Sequence, residues 1–125
     1  MNNVIQTKSY AFAIRIVNAY KFLTNDQKEY VLSKQMLRSG TAIGALVAEA
    51  HHAQSSADFL NKMNVALKEA NETFYWLSLL RDTDYLSEQI YKSISIDCKE
   101  LIALLVSIVK SVIREISIYF LIFNF

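Results

Sequence analysis

The chain contains no proline and only two glycines, Gly40 and Gly44. Sandwiches and barrels turn through Gly, Pro and Asn-Gly pairs, so a chain almost without them has little means of building either. A phosphate-cradling loop needs several clustered glycines, and these two do not supply one. Of the 125 residues, 53% are hydrophobic, enough to offset ordering entropy and to exclude disordered and collagen-like classes. What remains is a single all-α domain spanning residues 1–125.

Apolar spacing divides the chain into four helices, at about 7–23, 26–53, 56–81 and 86–118. In the first, Tyr10, Ile14, Val17 and Phe22 form the leading stripe, with Phe12, Ile16 and Ala19 beside it. Thr24 and Gln27 have the form of a capping box for the second helix, and Ser55 and Asp58 for the third. Asp82-Thr83-Asp84 ends the third helix, because Asp enters the left-handed region more cheaply than most residues. Such short breaks force antiparallel neighbours, hence an up-down-up-down four-helix bundle.

Within the second helix, Gly40, Gly44 and Ala48 recur at four-residue spacing. Each glycine costs a helix about 1 kcal/mol relative to Ala, so this seam implies that another backbone packs closely against it. The third and fourth helices are apolar on a second stripe as well, including Val65, Trp76 and Leu79, then Ile102, Val106, Val109, Ile113 and Ile116. A bundle helix needs one buried stripe, so the surplus implies a homo-oligomer.

Thirteen basic and twelve acidic residues give a net charge of +1, against the basic surface of a dedicated nucleic-acid binder. The charges segregate: residues 1–48 carry +4 and residues 49–125 carry −3. Lys34 and Arg38, one turn apart, are the candidates for weak RNA or DNA contact. Arg38, Glu49, Glu69 and Glu72 are the candidates for a polar network between helices. Glu49 and His52 form a Glu-x-x-His pair, half of a di-iron carboxylate site. The other half needs a second such pair, and both histidines of the chain are spent in His51-His52. No catalytic residue, metal or cofactor is therefore expected. Cys98 stands alone without a nearby His and reads as an inert packing residue in a reducing, cytoplasmic setting. The longest uncharged run, Ile116–Phe125, is too short for the ~20 residues of a membrane span, so no membrane association is expected.

Two blocks, Leu32–Ala50 and Phe59–Leu77, resemble the signature blocks of the bacterial four-helix bundle proteins, some of which are encoded in intervening sequences of 23S ribosomal RNA genes. The resemblance covers roughly residues 8–115. It implies an up-and-down bundle assembled into a ring, a homopentamer by expectation, with no enzymatic activity. A related branch, the accessory proteins of diversity-generating retroelements, forms strongly basic rings that bind nucleic acid; a net charge of +1 departs from that pattern. Asp84 stands where many relatives have Gly, and residues 116–125 have no recognised counterpart. The leading expectation is a non-enzymatic, ring-forming scaffold with an unidentified partner. A nucleic-acid-binding accessory protein is the alternative, and a metal-dependent bundle enzyme using Glu49 and His52 the third reading.

Overall fold

The computed structural model describes residues 3–124, excepting the side chain of Asn3. It contains four helices, α1 (Asn3–Asn25), α2 (Leu32–Ala50), α3 (Ser56–Asp82) and α4 (Glu88–Asn124), and no strand among the described residues. Each helix packs on its neighbours in the order α1–α2–α3–α4 and back to α1. The contacts run in opposite senses at every seam. Residues 9 and 16 face 44 and 40 across α1–α2; 39 faces 73 and 49 faces 62 across α2–α3. Residues 70 and 78 face 98 and 91 across α3–α4, and 8 and 15 face 100 and 97 across α1–α4. The topology is up-down-up-down.

Four boundaries depart from the spacing-based expectation, the first being the start of α1, at Asn3 rather than at about 7. Helix α2 begins at Leu32 rather than at 26, and Thr24 is no cap: its hydroxyl donates back to the Tyr20 carbonyl at 2.9 Å, inside α1. The chain leaves α1 through Lys28, whose φ of 56° is left-handed, and Glu29 then caps α2. The Glu29 carboxylate accepts from the amides of Val31 (3.0 Å), Leu32 (2.8 Å) and Ser33 (2.7 Å), while the Ser33 hydroxyl returns a bond to the Glu29 carbonyl. Helix α2 also ends early, so that His51 and His52 lie in a turn. Helix α4 runs to Asn124, past the expected end at 118.

Other local signals act as their chemistry dictates. The Ser55 hydroxyl accepts from the Asp58 amide (3.0 Å) and Asp58 from the Gln54 amide (3.2 Å). Ser87 caps α4 by accepting from Ile90. Asp84 has φ 69° and turns the chain out of α3. The side of α1 that faces the core differs from the expected one. Ile5, Phe12, Ile16, Ala19 and Leu23 are buried, whereas Tyr10 (70% exposed) and Ile14 (49%) face outward. Both stripes have helical period, so period alone does not rank them; the ring bearing a hydroxyl stays at the surface.

Burial of the Glu29 carboxyl opposes its ionisation, but the amides of Ser33, Leu32 and Val31 outweigh that and hold its pKa below the ordinary 4.5. A lowered native pKa means that the ionised cap stabilises fully above the unfolded value, and that this is lost as pH falls through the native value. Glu29→Ala should cost about 1–2 kcal/mol at neutral pH, with a smaller loss at pH 3, measured by thermal melting at the two pH values.

Candidate functional site

The polar residues singled out in the sequence fall on the α2–α3 seam, though not as one network. Arg38 on α2 bridges Glu69 (3.2 Å) and Glu72 on α3, which lie one turn apart and so receive a single guanidinium. Glu49 sits nearer the other end of the seam and pairs with Lys62 at 3.5 Å. Beneath Arg38 lies a buried polar contact that sequence reading passed over: the hydroxyls of Ser39 and Thr73 meet at 2.9 Å, with Thr73 also donating to the Glu69 carbonyl. Their signal is adjacency, since each stands beside a charged residue of the bridge. The Arg38 side chain is half exposed, so the bridge sets helix register at a net worth of ~0–1 kcal/mol.

The small-residue seam divides similarly. Gly40 and Gly44 face α1, whereas Ala48 is exposed. A Cβ on Gly40 would lie 2.8 Å from Cγ1 and 2.9 Å from Cγ2 of Ile16, a fully buried, β-branched side chain. One on Gly44 would lie 3.2 Å from the Ser9 carbonyl oxygen. The close approach is therefore between two helices of one chain.

The segregated charges also meet inside the bundle. Lys8 pairs with Glu100 at 2.7 Å. Arg15 binds Asp97 at 2.6 Å and the Ser93 carbonyl and hydroxyl at 3.1 and 2.7 Å. With Arg38, three of the six bases in the N-terminal segment are held by acids of the C-terminal one. Lys21, Lys28 and Lys34 are exposed and make no ion pair among the described residues. Arg38 is thus committed to carboxylates, and only Lys34 of the two candidate phosphate contacts is free.

Glu49 and His52 do not share a helix, because α2 ends at Ala50. Among the described residues there is no group of three or more His, Cys, Asp and Glu side chains placed to hold a metal. The Cys98 thiol is buried, its pKa pushed up to about 12 by that burial, and it donates to the Ala70 carbonyl at 3.4 Å. A thiol so protonated is no nucleophile. Of three consecutive aromatics, Phe74 packs near Tyr91, the exposed Tyr75 meets Trp76 edge-to-face with ring centroids 5.0 Å apart, and the half-buried Trp76 keeps an indole N–H with no acceptor among the described residues. Among the described residues no helix is long and apolar enough to cross a membrane.

What this surface offers is apolar area: Tyr10 and Ile14 on α1, Tyr75 on α3, and the end of α4. The class is thus an antiparallel four-helix bundle with exposed apolar side chains on its helix faces. The chain belongs to the 23S rRNA-intervening sequence protein family, whose model matches residues 1–107. Its structure is similar to that of a protein of unknown function from the S23 ribosomal protein family of Bacteroides thetaiotaomicron. The two share 60% identity and superpose with a TM-score of 0.84, over 85% of this chain and 98% of the other. Among curated proteins nothing matches.

Gly44→Leu should destabilise the bundle by about 1–3 kcal/mol through overpacking, because Ser9 backbone rather than a mobile side chain stands in the way. Gly44→Ala should change the melting temperature far less, its contact cost set against better helix propensity. An unchanged melting temperature for Gly44→Leu would mean that α1 and α2 do not approach as described.

Proposed function

We propose that the protein is a non-enzymatic scaffold of the cytoplasm that works as a ring of identical bundles, a homopentamer, presenting its surface to a partner. The observation that carries this reading is the apolar surface left uncovered by one chain: Tyr10 and Ile14 on α1 and Ile113, Ile116, Phe120 and Phe123 on α4 are all exposed. A monomer exposes single apolar side chains freely, but rows of them at helical spacing mark a surface that another protein covers. The polar features support the same reading, since Arg15, Arg38, Glu69, Glu72 and Asp97 are engaged in fixing one helix on another.

Light scattering of the purified chain at micromolar concentration should give a mass about five times 14.3 kDa. A monomeric mass would refute the ring. The competing reading, a nucleic-acid-binding accessory protein, draws on the exposed Lys21, Lys28 and Lys34. Three such bases predict weak RNA binding with a log–log salt slope of about −2 to −3, from ~0.7–0.9 per neutralised phosphate. Tight binding that survives high salt, measured by titration at two salt concentrations, would instead favour the accessory-protein reading.

A further inference from the structure

We draw no further inference here: the strongest candidate, the exposed end of α4 from Ile113 to Asn124, is largely apolar on every face from Ile116 on, and nothing in the structure shows what covers it.

Discussion

The nearness of α1 to α2 is the constraint on which the rest of the bundle depends. A carbonyl oxygen of Ser9 and the branched side chain of Ile16 occupy the space that side chains at positions 44 and 40 would need. Two glycines in mid-helix weaken α2 locally by about 1 kcal/mol each, and the local loss is offset only if α1 fills the space. With α1 seated there, Ile16, Phe12 and Ile5 are buried in the shared core, and Tyr10 and Ile14 are turned out. Which face of α1 becomes surface is thus decided on α2.

Charge then fixes how the helix pairs sit lengthwise. Apolar stripes tolerate sliding by a turn, because one Leu-sized contact replaces another. Arg15 does not tolerate it: its guanidinium reaches Asp97 and both polar atoms of Ser93 at once. Arg38 likewise holds two carboxylates one turn apart, directly above the Ser39–Thr73 contact. Half-exposed pairs add little stability, and a displaced helix would also break the buried Ser39–Thr73 contact, leaving each hydroxyl only a carbonyl of its own helix, Met36 for Ser39 and Glu69 for Thr73. The imbalance between a basic N-terminal part and an acidic C-terminal part is therefore read inside the molecule, across α1–α4 and α2–α3.

Fold class and helix number were legible in the residues because period and the scarcity of turn formers act locally. So were the Ser55–Asp58 cap and the left-handed Asp84, whose side chains bond or bend within a few residues. The start of α2 was not. Thr24 offers the right chemistry for a cap, but its hydroxyl is satisfied by the Tyr20 carbonyl one turn back, and the chain needs Lys28 in a left-handed conformation before it can turn. Glutamate is an uncommon cap, and only its burial and three amide bonds reveal Glu29 as one. Among the candidate site residues, Arg38, Glu69 and Glu72 meet because their spacing fits a helix pair, whereas the separation of Glu49 from them follows from where the antiparallel register places it.

Family membership and surplus surface fall on different parts of the chain. The matched region ends at residue 107, just before Val109, the last side chain that the bundle buries. Nearly everything that closes the core, from the Glu29 cap to the Arg15–Asp97 pair, lies within the match, with Ile108 and Val109 just beyond it; most of what is apolar and uncovered on α4 lies after it. Lys110, Arg114 and Glu115 are the last charges of the sequence, and from Ile116 on the helix is uncharged and largely apolar on every face. The described core closes at Val109, so the apolar side chains from Ile113 onward stay exposed on the single chain.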